Sequence, residues 1–78
     1  MWMESEQTLT RSFSFNNFVE ALAFVNKVGE IAEELGHHPD ICIKDYNSVH
    51  ISTTTHDVGS RVTEKDQELA RRIDALAL

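Results

Sequence analysis

Apolar and polar side chains alternate in the stretch LTRSFSF, residues 9–15, and Arg11 interrupts the apolar side of this pattern. Such alternation is typical of a strand with one buried face and one solvated face. A short partner strand is also predicted around residues 2–4, ahead of this stretch.

The following residues have helical spacing. Asn16 or Asn17 is suited to cap a helix, and Glu20, three residues after Asn17, is in the capping-box position. Apolar residues at steps of three or four predict one buried stripe, which consists of Phe18, Leu22, Val25, Val28, Ala32 and Leu35. Gly36 is suited to end this helix, and Pro39 prevents its continuation.

Two further strands are predicted in the runs DICIKDY and SVHISTTTH. Turn-forming residues separate the two runs, namely Asp45, Asn47 and Ser48. An antiparallel hairpin is therefore expected. In the second run, Val49, Ile51, Thr53 and Thr55 share one face, and His50, Ser52, Thr54 and His56 share the other.

The run DVGSRV is predicted to be a loop before a second helix. Thr63 with Asp66 three residues later predicts the start of that helix, and its buried stripe is expected to contain Leu69, Ile73 and Leu76. The order β-β-α-β-β-α predicts a single α+β domain over residues 1–78. It consists of an antiparallel sheet of three to four strands with two helices packed on one face.

The short length of the chain limits its hydrophobic core. A domain of 78 residues hides only about 60–65% of its unfolded surface on folding. Cys42 is the single cysteine, so the chain contains no disulfide framework. A homo-oligomer is therefore predicted.

The charge pattern disfavours several classes of protein. Seven basic and thirteen acidic residues give a net charge of −6, which disfavours direct nucleic-acid binding. The N-terminal residues do not resemble an export signal, and no apolar run approaches the roughly 20 residues of a membrane span. With a single unpaired cysteine, this predicts a cytoplasmic protein with no membrane partner.

The candidate chemistry lies in three histidines. His37 and His38 occupy the predicted loop between Gly36 and Pro39, and His56 lies at the exit of the last predicted strand. A histidine with a pKa near 6.5 is able to donate or accept a proton at neutral pH, which suits a dehydration. Adjacent loop residues can point in different directions, so one arrangement has a single ring of this pair in the pocket, with His56 as its opposite partner.

Simpler interpretations exist for each of these residues. A single histidine after a helix is commonly a partner of the helix dipole or a solvated loop residue. Three imidazoles could also bind zinc, although adjacent ligands rarely both reach one metal. Asp66 is expected to cap a helix rather than act as a catalytic acid. Glu33, one turn before His37, either orients that ring or is solvated. His50 is expected to be a surface residue, about 20 Å along the strand from His56.

The ordered set of these residues resembles the signature of a known family, the pterin-4a-carbinolamine dehydratases. The matching positions are Glu33, His37-His38-Pro39, Tyr46, His56 and Asp66. The surrounding stretches RSFSFNNFVEALAFVNKV, YNSVHISTTTH and VTEKDQELARRID are also similar. The similarity extends from about Trp2 to Leu76.

This resemblance implies a lyase, a hydro-lyase that converts 4a-hydroxytetrahydrobiopterin to quinonoid dihydropterin and water in tetrahydrobiopterin recycling. It implies no metal and no organic cofactor, and it implies a homo-dimer or homo-tetramer. The acid/base residues that it implies are His37, His38 and His56. The pterin-binding residues that it implies are Gly36, His37, His38, Pro39, Thr54, Thr55, His56 and Asp57. Glu33 and Asp66 are implied as supporting carboxylates.

The resemblance also carries an alternative. Some relatives serve as a dimerisation cofactor for a homeodomain transcription factor, and bacterial relatives are linked to carboxylase assembly. A non-enzymatic assembly or scaffold protein of the same fold is therefore the second hypothesis, and nothing in the sequence supports the transcriptional role. Many relatives have an additional helix before the segment that begins here at Trp2, and this sequence is expected to lack it.

Overall fold

The computed structural model describes residues 1–56 and 59–77. Its elements are β1 (Met3–Glu4), β2 (Leu9–Ser14), α1 (Phe18–Leu35), β3 (Asp40–Lys44), β4 (Ser48–Thr53) and α2 (Glu64–Leu76). The four strands form one antiparallel sheet in the order β1-β2-β4-β3. The predicted α+β class and β-β-α-β-β-α order are confirmed. No helix in the described ranges is long and apolar enough to span a membrane.

The two central strands have one apolar and one polar face. Phe13 of β2 lies opposite Val49 of β4, and Ser12 lies opposite His50. Because side chains alternate along a strand, Phe13 and Val49 share the inner face with Ile51. Both helices contribute to the same core cluster, which contains Phe13, Ala21, Phe24, Val28, Ile31, Val49, Ile51, Leu69 and Ile73. The two helices therefore pack on one face of the sheet, as predicted.

The predicted buried stripe of α1 is wrong in its first half. Phe18 and Leu22 are 49% and 43% exposed. The residues that α1 buries are Ala21, Phe24, Val28, Ile31 and Ala32. This stripe is rotated by roughly 50° around the helix axis from the predicted one. The rotation follows from aromatic packing, because the ring of Phe24 lies 4.9 Å from that of Phe13 and 5.0 Å from that of Phe15.

The ends of α1 follow local rules. Asn17 is the N-cap, and its side chain accepts a hydrogen bond from the Glu20 N–H at 2.8 Å. The Glu20 carboxylate accepts from the N–H of Asn16 rather than from that of Asn17. Gly36 ends the helix in the left-handed conformation with φ of 64°, and the next N–H, of His37, donates to the Ala32 carbonyl at 3.0 Å. This ending fixes the direction in which the chain leaves the helix.

A polar contact joins the N-terminal strands to α2. Asp74 accepts hydrogen bonds from Trp2 Nε1 and from Arg11 Nη1, each at 2.8 Å. The Arg11 guanidinium also lies over the ring of Phe13, 4.4 Å from its centroid. Arg11 therefore occupies an inward position of β2 without leaving its charge unpaired, which explains how an arginine interrupts the apolar pattern of that strand.

The glycine at the end of α1 gives a test of this account. We expect Gly36→Ala to lower the free energy of unfolding by about 1 kcal/mol, because alanine disfavours positive φ. The lower stability comes from backbone strain and not from a steric clash, since an added Cβ meets no atom within 4 Å. Urea unfolding followed by circular dichroism at fixed protein concentration measures the difference.

Gly29→Ala is the matched control. Gly29 lies inside α1, and a Cβ there also meets nothing within 4 Å. Alanine at this helical position should leave stability unchanged or raise it by up to about 1 kcal/mol. A Gly36→Ala protein as stable as the wild type would contradict the assignment.

Candidate active site

A buried carboxylate lies at the centre of the candidate site. Asp66, in the first turn of α2, is 0% exposed. Its Oδ1 lies 2.6 Å from His37 Nε2 and accepts a hydrogen bond from the Thr53 hydroxyl at 2.6 Å. Its Oδ2 accepts from the Thr55 hydroxyl at 2.7 Å and from the Thr63 backbone N–H at 2.9 Å. The carboxylate is thus surrounded by four hydrogen-bond partners.

Three segments of the chain supply these partners. Thr53 and Thr55 point into the core because they continue the inner face of β4, where each is 2% exposed. Thr63 is the N-cap of α2 and forms the predicted capping box with Asp66. His37 comes from the loop that follows Gly36. The predicted capping function of Asp66 is therefore confirmed, and the same carboxylate also holds the histidine loop and the end of β4.

The hydrogen bonds determine the charge of this group. Burial would raise the pKa of Asp66, but the hydrogen bonds from His37, Thr53, Thr63 and Thr55 outweigh it, so the pKa lies below its ordinary value of 3.8. Asp66 is therefore ionised at neutral pH. An ionised carboxylate is only an acceptor, so the nitrogen of His37 that faces it is the donor.

The two adjacent histidines point in different directions. The side chain of His37 is 11% exposed and faces Asp66, whereas that of His38 is 62% exposed. His38 Nε2 lies 2.5 Å from a carboxylate oxygen of Glu33. Of the two interpretations of Glu33, the one in which it orients His37 does not hold, because Glu33 lies on the exposed side of α1 while His37 turns inward. Glu33 instead pairs with His38.

Two open depressions border this loop. One, of about 290 Å³, is lined by Leu35, His37, Glu64, Lys65 and Glu68. The other, of about 610 Å³, is lined by Gly29, Glu30, Ala32, Glu33, His38, Pro39 and Ile41. His37 and His38 thus face separate concave surfaces, and His56 borders neither of them.

The third histidine follows the end of β4. His56 is exposed, and its carbonyl accepts a hydrogen bond from the Gly59 N–H at 3.1 Å. Because the preceding residue, Thr55, is bonded to Asp66, His56 lies at the same end of the fold as His37. Asp57, a predicted site residue, lies outside the described residues, as does part of the predicted loop DVGSRV.

Thr54 was predicted to bind substrate, and its environment is unusual. Its hydroxyl oxygen is buried and has no hydrogen-bond partner in the described part of the chain. Thr54 lies between Thr53 and Thr55 but on the opposite side of the strand. A buried hydroxyl without a partner is uncommon in a folded protein, because its lost hydrogen bonds to water are not replaced.

The described residues provide no cluster for the zinc alternative. Within residues 1–56 and 59–77, no group of three or more His, Cys, Asp or Glu side chains is arranged to hold a metal ion. His37 and His38 each direct Nε2 to a different carboxylate. Divergent rings of this kind do not converge on one ion.

Two members of the network were missed in the sequence. The sequence pattern predicts Thr53 only as a member of one strand face and Thr63 only as a helix cap. The available signal was the presence of hydroxyls at Thr53 and Thr55, which continue the inward row of Val49 and Ile51. Polar groups at core positions require a buried partner, and a capping aspartate nearby in sequence is a suitable one.

Comparison with known proteins identifies the family. The sequence model described as "Pterin 4 alpha carbinolamine dehydratase" matches residues 1–76. The chain belongs to this family. It is 51% identical over 76 residues to a Thermomicrobium roseum protein provisionally named a pterin-4-alpha-carbinolamine dehydratase, covering 97% of this chain and 80% of that protein. A similarly named protein of Sulfurisphaera tokodaii is 45% identical over 75 residues, with 96% and 78% covered.

Solved structures of the family agree with the fold. A Brucella melitensis protein described as a transcriptional coactivator/pterin dehydratase superposes with a TM-score of 0.88 at 35% identity, covering 99% of this chain and 82% of that one. A pterin dehydratase-like protein described as a RuBisCO assembly factor in the alpha-carboxysome has a TM-score of 0.78 at 29% identity, with 97% and 88% covered. One of these relatives is therefore described as a coactivator and dehydratase, and the other as an assembly factor.

The buried carboxylate makes stability depend on pH. We expect Asp66→Asn to lower the free energy of unfolding at neutral pH by about 2–3 kcal/mol, because an amide cannot accept all four hydrogen bonds. The folded-state pKa lies below 3.8, so the contribution of the ionised group is fully present above the unfolded-state pKa. It is lost as the pH falls through the folded-state pKa.

Urea unfolding of both proteins between about pH 3 and pH 7 measures this effect. Subtraction of the two curves removes the contributions of the other carboxylates. The difference should shrink toward the acid end, and a difference that is the same at every pH would contradict an ionised, stabilising Asp66.

Proposed function

We propose that this protein is a lyase that dehydrates 4a-hydroxytetrahydrobiopterin, or a related pterin-4a-carbinolamine, to the quinonoid dihydropterin and water. The observation that carries the proposal is the contact of His37 with the buried Asp66, at signature positions of the family to which the chain belongs. A histidine held in this way is an oriented acid/base group.

The reaction needs two proton movements. A base removes the proton from N5 of the pterin, and the electron pair of that N–H bond forms the double bond to C4a. The C4a–O bond breaks, and the hydroxyl group leaves as water after it receives a proton. Histidine carries out both movements near neutral pH, and no electron transfer is required.

The described residues suggest a division of tasks. His37 is fixed by Asp66 and supplies the oriented group. His56, at the same end of the fold as His37, supplies the second proton-exchanging group. His38 is the other candidate for this role; it faces the neighbouring depression, where Glu33 contacts its Nε2.

The remaining proposed contacts bind the pterin. Gly36 and Pro39 shape the loop, and Thr54 belongs to the pterin-binding set that the family resemblance implies. Thr55 holds the strand end through Asp66, and Asp57 completes the set that the family resemblance implies.

We further propose that the protein acts in the cytoplasm as a homo-dimer or homo-tetramer of a single domain spanning residues 1–78. The exposure of large apolar residues supports self-association. Phe18, Val19 and Leu22 of α1 are 49%, 74% and 43% exposed. These residues lie on one part of the first two turns of the helix.

A second candidate is a non-enzymatic assembly or scaffold function. It is favoured by the similarity to the structure described as a RuBisCO assembly factor and by the same exposed apolar residues. This function predicts capture of a protein partner that does not depend on His37, and no turnover of pterin.

The rate of quinonoid dihydropterin formation from freshly generated 4a-hydroxytetrahydropterin tests the proposal. The wild-type protein should accelerate this step, and His37→Ala and His56→Ala should each lower the acceleration by roughly 10²-fold or more. The cause is the loss of a proton-exchanging group rather than of the fold, so circular dichroism should be unchanged.

His50→Ala is the matched histidine control. The His50 ring lies on the outer face of the sheet, where its Nδ1 is 2.7 Å from the Ser12 hydroxyl, and the variant should keep the wild-type rate. If a folded wild-type protein gives no acceleration, the dehydratase proposal fails and the assembly function is favoured. Unchanged rates in His37→Ala and His56→Ala would instead overturn the assignment of these residues.

A further inference from the structure

The contact between His37 and Asp66 distinguishes the two nitrogens of the imidazole. Nε2 lies 2.6 Å from Oδ1 of Asp66, and this oxygen also accepts a hydrogen bond from the Thr53 hydroxyl. The other oxygen accepts hydrogen bonds from the Thr55 hydroxyl and from the Thr63 N–H. A carboxylate that accepts three hydrogen bonds from its own protein has no proton to share, so the proton in the fourth contact belongs to Nε2.

The other nitrogen of the ring is in a different situation. Nδ1 of His37 receives no hydrogen bond from any residue in the ranges 1–56 and 59–77. The ring borders the depression of about 290 Å³ between the end of α1 and the start of α2. Nδ1 is therefore the nitrogen left to meet a bound molecule.

We propose that Asp66 is a positioning residue that keeps a proton on Nε2 of His37, so that His37 exchanges protons with the substrate through Nδ1. The catalytic consequence rests on the proposed dehydratase function. The location of the proton is a property of the free protein and is measured independently of turnover.

The chemistry of the step follows from this arrangement. In the neutral ring, the lone pair of Nδ1 takes a proton from the substrate, and the ring becomes an imidazolium with an N–H at both positions. The Nε2–H group keeps its hydrogen bond to Asp66, and the negative charge of this carboxylate stabilises the new cation. The proton on Nδ1 then passes to the leaving hydroxyl or to water, and the ring returns to its starting state.

The contact with the Thr63 N–H determines which way an amide would point at position 66. The N–H of Thr63 can only donate, so the position that it contacts must hold an acceptor. If Asp66 is replaced by asparagine, the amide oxygen is required at that position. The NH₂ group is then placed opposite His37, where it donates to Nε2 and drives the ring proton to Nδ1.

The first experiment is a nuclear magnetic resonance titration of the ¹⁵N-labelled wild-type protein. Two-bond couplings from the carbon-bound ring protons of His37 report which nitrogen loses its proton as the ring titrates. Nδ1 is expected to lose it, while Nε2 stays protonated throughout. Loss of the proton from Nε2 would overturn the inference even if the protein is an active dehydratase.

The second experiment repeats the measurement on Asp66→Asn, with Asp74→Asn as the matched control. Asp74 is a carboxylate on the same helix that accepts from Trp2 and Arg11. The neutral ring of His37 should change to the Nδ1–H form in Asp66→Asn only. The rate of dehydration should fall by about 10²-fold or more, mainly in kcat. An unchanged Nε2–H form in a folded Asp66→Asn protein would contradict the proposal.

Thr53→Val keeps the test decisive if Asp66→Asn does not fold. This variant removes one donor to Oδ1 and leaves the His37 contact in place, so the Nε2–H form should persist. A change to the Nδ1–H form in this variant would also overturn the inference. If the Nε2–H form is present in the wild type but no pterin is dehydrated, the proposed function fails while the assignment of the proton stands.

Discussion

The buried negative charge of Asp66 is the constraint on which this end of the molecule depends. An ionised carboxylate with no exposed surface is very costly unless donors surround it. The four partners come from β4, from the start of α2 and from the loop after α1. Folding therefore brings these segments together in one arrangement, because any other arrangement leaves the charge or its donors unpaired.

The rest of the fold places those donors. The inner face of β4 carries Val49 and Ile51 into the core, and the same alternation carries the hydroxyls of Thr53 and Thr55 to the end of that face. The left-handed ending at Gly36 turns the chain so that the next side chain points inward. A polar centre is thus built at the edge of an apolar core by the periodicity of a strand and the ending of a helix.

Local signals in the sequence were sufficient for the elements, and distant contacts were not visible in it. The capping box of α2 and the end of α1 at Gly36 depend on residues that are close together in sequence, so both were predicted correctly. The burial of α1 depends on how Phe24 meets Phe13, a contact that no local pattern encodes, and the predicted stripe was rotated accordingly. In the same way, the family resemblance marks His37 and Asp66 as signature residues without showing that they are in contact.

An experimental structure with a stable dihydropterin bound is the most direct test of the central claim that His37, oriented by Asp66, forms the working centre of the site. The account predicts that a polar edge of the pterin lies within hydrogen-bond distance of His37 Nδ1, while Nε2 keeps its hydrogen bond to the Asp66 carboxylate. A pterin bound away from His37, or a His37 ring turned away from Asp66 in the complex, would contradict it.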